Sequence, residues 1–140
     1  MGLGMRKSEL IALAKRKALD ANILLINQSW SNAYYLGGYA VEIGLKACIA
    51  KQFVSGTIPD LDFVKAIYVH KFASLVNSAG LRAELDEMLR VTSFAANWAI
   101  VSAWDPASRY QSIDATTAHV FMTAILNPSD GVLPWIETQW

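Results

Sequence analysis

The stretch Tyr34-Tyr-Leu-Gly-Gly-Tyr-Ala-Val-Glu42-Ile-Gly-Leu-Lys46-Ala-Cys48-Ile-Ala-Lys51 decides the fold. It holds no proline, and its side chains are apolar on most sides of a helical projection, which predicts a mostly buried helix. Glu42 and Lys46 lie one helical turn apart, so the carboxylate and the ammonium share a face. Gly37, Val41, Gly44 and Cys48 fall along another side. A glycine inside a helix costs roughly 1 kcal/mol against alanine. Gly37, Gly38 and Gly44 together therefore predict close approach by a neighbouring backbone. This is the central helix, expected over about Trp30 to Phe53.

Working outward, Leu10, Leu13, Ala14, Ala18, Ala21, Leu24 and Leu25 recur at helical spacing, placing a first helix over Ser8 to Gln28. Asn27-Gln28-Ser29 closes it, and the hydroxyl of Ser29 or Ser31 is suited to cap the next. The connection is short, so the first two helices are antiparallel neighbours. Ser55 to Asp60, with Gly56 and Pro59, is a loop. Leu61 to Tyr68 has room for a helical turn, and His70 to Ser78 predicts a short helix stopped by Gly80. A long helix is expected over Leu81 to Trp104, with Leu85, Met88, Leu89, Thr92, Ala96, Ala99 and Ala103 on its inner side. Asp105-Pro106 separates it from a fourth main helix reaching Leu126, because proline disfavours helix before it and suits the first helical position. Asn127-Pro128 repeats that punctuation before a terminal helix through Trp135.

No strand-like alternation appears. The expectation is all-α, an up-and-down four-helix bundle with additional short helices, one domain over residues 1–140. Hydrophobic residues make up 54% of the chain against 17% charged. That excess of apolar surface is enough for a core and for a subunit interface. Lys and Arg number 12, as do Asp and Glu, so no overall field draws nucleic acid or anionic lipid. The first helix is locally basic, with Arg6, Lys7, Lys15, Arg16 and Lys17. Cys48 stands alone, which excludes an intramolecular disulfide and fits a reducing compartment. No secretory pattern or uninterrupted 20-residue apolar run is present, so a cytoplasmic protein without a membrane span is expected.

Tyr35-Leu-Gly-Gly-Tyr-Ala-Val-Glu42-Ile-Gly-Leu45-Lys46-Ala47 resembles the second-helix signature of HEPN-domain proteins. There, an aromatic and small-residue run leads into Glu-x-x-Leu-Lys-Ala. His70-Lys-Phe-Ala-Ser-Leu75 is similar to the start of that family's third helix. The resemblance implies a HEPN-like helical bundle, a homodimer, and either RNA cleavage or partnership with a minimal nucleotidyltransferase in a toxin–antitoxin or phage-defence setting.

Family members that cut RNA carry an Arg and a His with four to six residues between them. This chain departs from that pattern. The positions in question hold Asp114, Ala115 and Thr116 after Arg109, Glu87, Met88 and Leu89 after Arg82, and Ala95, Ala96 and Asn97 after Arg90. His119 lies ten residues past Arg109, about 15 Å of helical rise and too far to share a phosphate. The departure favours a non-catalytic binding or regulatory module. The alternative is a divergent ribonuclease that pairs Arg109 with His70 or His119, the histidine moving the 2′-OH proton while Arg steadies phosphorane charge.

Trp104-Asp-Pro-Ala-Ser-Arg109-Tyr110 is the most function-like segment. A helix start, a guanidinium and two aromatics suit nucleotide or phosphate binding through Trp104, Arg109 and Tyr110. The competing account has Trp104 and Tyr110 in the core or an interface, with Arg109 pairing Asp105 or Glu42. Glu42 with Lys46 is taken as a structural polar pair rather than an acid–base couple. His70 suits a loop-closing hydrogen bond, and His119, among apolar neighbours, a partly buried position. Two histidines and one cysteine do not make a dedicated metal site, and no cofactor motif is present.

Overall fold

The computed structural model describes residues 4–140, and among these every regular element is a helix. In chain order they are α1 (Lys7–Ile26), α2 (Trp30–Ala50), α3 (Leu61–Ile67), α4 (Phe72–Ser78), α5 (Arg82–Met88), α6 (Thr92–Ser102), a 3-10 turn at Pro106–Tyr110, α7 (Ala115–Leu126) and α8 (Val132–Glu137). The arrangement is built around α2, which touches α1, α4, the 3-10 turn, α7 and α8. It ends at Ala50, three residues earlier than its composition suggested.

The α1–α2 connection is tight for a definable reason. Gln28 adopts φ 63°, the left-handed conformation, and the chain then bonds back onto the last turn of α1. Ser29 N–H donates to Leu24 O at 2.8 Å and Gln28 N–H to Leu25 O at 3.0 Å, the Schellman arrangement. Gly80 ends α4 in the same way at φ 72°, as its position in the sequence predicted. The expected serine cap is different. Ser29 makes no cap bond, and Ser31 Oγ instead accepts from Ile113 N–H at 2.9 Å, tying the segment ahead of α7 to α2.

The long helix expected over Leu81 to Trp104 is two helices, α5 and α6, divided at extended Val91 (φ −84°, ψ 114°). Leu85 and Phe94 are nine positions apart, about two and a half turns, so one continuous helix would point them to opposite sides. Breaking at Val91 resets the phase, and Leu85, Phe94, Trp98 and Val101 all become buried. Thr92, Ala96, Ala99 and Ala103 are exposed as a consequence. The fourth expected helix likewise begins only at Ala115. Asp114 starts it by accepting from Thr117 N–H at 2.7 Å, which holds its carboxyl below the usual aspartate range.

The glycines of α2 receive side chains, not a backbone. Gly37 faces Met122 and Ile125 of α7, Gly38 lies under the indole of Trp104, and Gly44 faces Leu133 and Ile136 of α8. Trp98, Trp104 and Trp135 are core residues, and Trp140 returns to α2 by donating from Nε1 to Gly44 O at 3.0 Å. Cys48 is buried beside α8, and burial pushes its thiol up to about 11. Against an ordinary value of 9.0, that leaves roughly a hundredfold less thiolate at neutral pH. Modification by a disulfide reagent should be slower than in the unfolded chain by at least that factor. Stopped-flow absorbance in buffer and in denaturant measures both rates.

Candidate functional site

Four residues of α2 at helical spacing, Tyr35, Tyr39, Glu42 and Lys46, form one stripe on the face turned toward α4 and the 3-10 turn. Glu42 is the buried member. Its Oε2 accepts from Lys46 Nζ at 3.4 Å and its Oε1 meets His70 Nδ1 at 2.6 Å. His70 stands 28 residues away in sequence, in the turn before α4, with its side chain about half exposed. The acceptor-only carboxylate orients the ring with its proton on Nδ1, so Nε2 is the basic nitrogen of the neutral imidazole. The expected polar pair is thus a three-residue knot that fastens the α3–α4 connection onto α2. The loop-closing role read for His70 is met by Glu42.

Above the knot, Tyr39 and Tyr35 carry the stripe toward the 3-10 turn. Their rings meet edge to face with centroids 5.1 Å apart. Burial raises the pKa of Tyr39 most, the Tyr35 hydroxyl next, and the Glu42 carboxylate adds to both while Arg109 opposes them. Tyr39 therefore feels the Glu42 carboxylate and the Arg109 guanidinium with opposite signs. Arg109 is exposed, stacks over Tyr110 at 4.6 Å and donates to Pro106 O at 3.4 Å. Tyr110 first, and Tyr35 after it, favour the charged guanidinium. Its bonds go to neither Asp105 nor Glu42.

The Trp104–Tyr110 segment divides sharply. Trp104 is buried, stacked on Phe72 at an interplanar angle of 10° and met edge-on by Tyr39. It cannot offer a face to a base. Tyr110 can, being 80% exposed. Asp105 accepts from Ala107 N–H at 2.7 Å, so a carboxylate already occupies the turn start where a phosphate was expected. Trp104 Nε1 and Ser108 Oγ are buried without a hydrogen-bond partner. Ser108 is buried by the turn that exposes its neighbours, Ala107 and Arg109.

His119 belongs elsewhere. It is exposed rather than partly buried, and its ring lies 5.1 Å from that of Trp30 at the start of α2. Trp30 and Glu42 are twelve residues apart, about 18 Å of helix, so His119 stands at the start of α2 and His70 beside its middle. Among the described residues no three metal-ligating side chains converge, and no helix is long and apolar enough to cross a membrane. Tyr35 and Tyr39 had no part in the site as read from sequence. Their signal was there: the i, i+4, i+7, i+11 register with Glu42 and Lys46. The chain matches no protein-family model, no curated protein and no solved structure.

Proposed function

We propose that this chain is a non-catalytic HEPN-like binding or regulatory module of the cytoplasm, its bundle formed by α1, α2, α6 and α7. The observation that carries this reading is the saturation of Glu42. Both carboxylate oxygens are engaged, one by Lys46 and one by His70, so Glu42 serves to hold a connection in place. What remains outside is a recognition surface of Arg109, Tyr110 and the rim of His70. The resemblance makes the partner a minimal nucleotidyltransferase in a toxin–antitoxin or defence setting. A homodimer is supported by Leu19, Ile23 and Ile26, which share one side of α1 and are each about half exposed or more.

The second reading, a divergent ribonuclease, has its own support. His70 is held by Glu42 of α2, Arg109 stands on the 3-10 turn that packs on the same helix, and both reach solvent. The histidine would move the 2′-OH proton while the guanidinium holds the phosphate. Tyr110 beside Arg109 also keeps open a nucleotide-binding module, in which Trp104 is only the support. The test is incubation of total tRNA and mRNA with wild-type protein beside Arg109→Ala and His70→Ala, with light scattering on the same samples. The expected result is no cleavage by any of the three and a solution mass of two chains. Cleavage by wild type that is lost in both folded variants would replace the binding module with the nuclease.

A further inference from the structure

We infer that a second copy of this chain docks antiparallel on the outer face of α1, with Arg16 of each protomer pairing with Asp20 of the other. The inference rests on the homodimer proposed above and adds its orientation, its register and the residues that select them. α1 carries two seams at the alternating four–three spacing by which a helix keeps one side turned to a helical neighbour. Ala14, Ala18 and Ala21 form the inner seam and are buried, with α2 as the main neighbour. Ala12, Arg16, Leu19, Ile23 and Ile26 repeat the spacing on the opposite side. All five are exposed, Leu19 by 53%, Ile23 by 49% and Ile26 by 71%. A helix packed on one side only is expected to be polar on the other. The outer side of α1 is instead apolar over its carboxyl half, the pattern of a helix with a second helical partner.

Charge selects the orientation. In a parallel pair each seam residue meets its own copy, so two Arg16 guanidinium groups would face each other across the axis. An antiparallel two-fold pair joins residue i to j and j to i. With Arg16 level with Leu19 of the second copy, Ala12 lies opposite Ile23, and a branched side chain meets a methyl group. Asp20 stands one turn from Arg16 and flanks the seam on the same side, so this register carries Arg16 to the partner's Asp20, and the two-fold repeats the pair. Among the described residues neither Arg16 nor Asp20 enters an ion pair within its own chain. Sliding one copy until Leu19 lies opposite Ile23 would bring the two Asp20 carboxylates together and leave Arg16 beside Ile26. Lys15 does not alter this balance, because its ammonium sits over the Trp140 ring at 5.7 Å. One register alone is therefore complementary in both size and charge.

Charge exchange and disulfide trapping test this on the full chain. Arg16→Glu and Asp20→Arg should each raise the dimer Kd at least about tenfold in sedimentation equilibrium, because each sets like charges together twice in the homodimer. An equimolar mixture of the two variants restores opposite charges at both pairs, and should associate within about threefold of wild type. For trapping, Ala12→Cys and Ile23→Cys are placed separately in a Cys48→Ala background. Each alone holds its two thiols about 16 Å apart along an antiparallel pair and should not crosslink on oxidation, whereas the mixture should. Crosslinking of each variant with itself would show a parallel pair and overturn the orientation. A mixture of the charge variants no tighter than either alone would overturn the Arg16–Asp20 pairing. A wild-type dimer whose Kd is unchanged by Ile23→Asp would overturn the α1 interface while leaving the homodimer standing, and a monomeric wild type would overturn both.

Discussion

Gly38→Ala is expected to destabilise the protein by roughly 1–3 kcal/mol, where an alanine inside a helix normally stabilises by about 1 kcal/mol. The reason lies 66 residues further on. The Trp104 indole occupies the space a Gly38 side chain would take. It cannot retreat, because Phe72 stacks behind it at 5.6 Å and Tyr39 meets it edge-on at 5.1 Å. Trp104→Ala alone should cost about 3–5 kcal/mol through the cavity it leaves. In that background the sign of the first substitution should reverse, with Gly38→Ala becoming neutral or favourable. The coupling from the double-mutant cycle should exceed ~1.5 kcal/mol. Urea denaturation followed by far-UV circular dichroism gives all four stabilities without relying on tryptophan fluorescence. Equal effects of Gly38→Ala in both backgrounds would show that the indole does not seat on this glycine.

The second large effect concerns the buried carboxylate. Lys46→Met with His70→Ala removes both hydrogen-bond partners from Glu42, whose side chain is 4% exposed, and should cost about 3–5 kcal/mol. Either substitution alone should cost much less, since one partner still satisfies the carboxylate. Adding Glu42→Leu to the double variant should restore most of the loss, because no charge is then left buried without a partner. Thermal and chemical denaturation of the five proteins would check this. If the double variant is as stable as wild type, Glu42 finds solvent or another donor, and the knot does not hold the α3–α4 connection. His70→Ala should in addition loosen the segment near Tyr68 to Lys71, seen as faster amide hydrogen exchange there than in wild type.

Much of the chain was legible locally. Helical periodicity located α1 and α2, Gly80 ended α4, and Asp105-Pro106 and Asn127-Pro128 marked breaks that the fold respects. These features depend on residues within a few positions of one another, where propensity and backbone sterics dominate. The division between α5 and α6 was not legible. Met88 to Ser93 contains no proline or glycine, and the break is decided by the need to bury Leu85 and Phe94 on the same side.

The site shows the same division. Sequence by itself determined that Glu42 and Lys46 would meet, because a helix places i and i+4 together, and that Cys48 would be a buried thiol. Only the tertiary structure decided that His70 takes the second carboxylate oxygen, that Trp104 is buried while Arg109 and Tyr110 stay exposed, and that His119 stands apart beside Trp30. Those outcomes depend on which side chain fills which space on α2. Packing over tens of residues settles that competition, and no spacing within one helix encodes it.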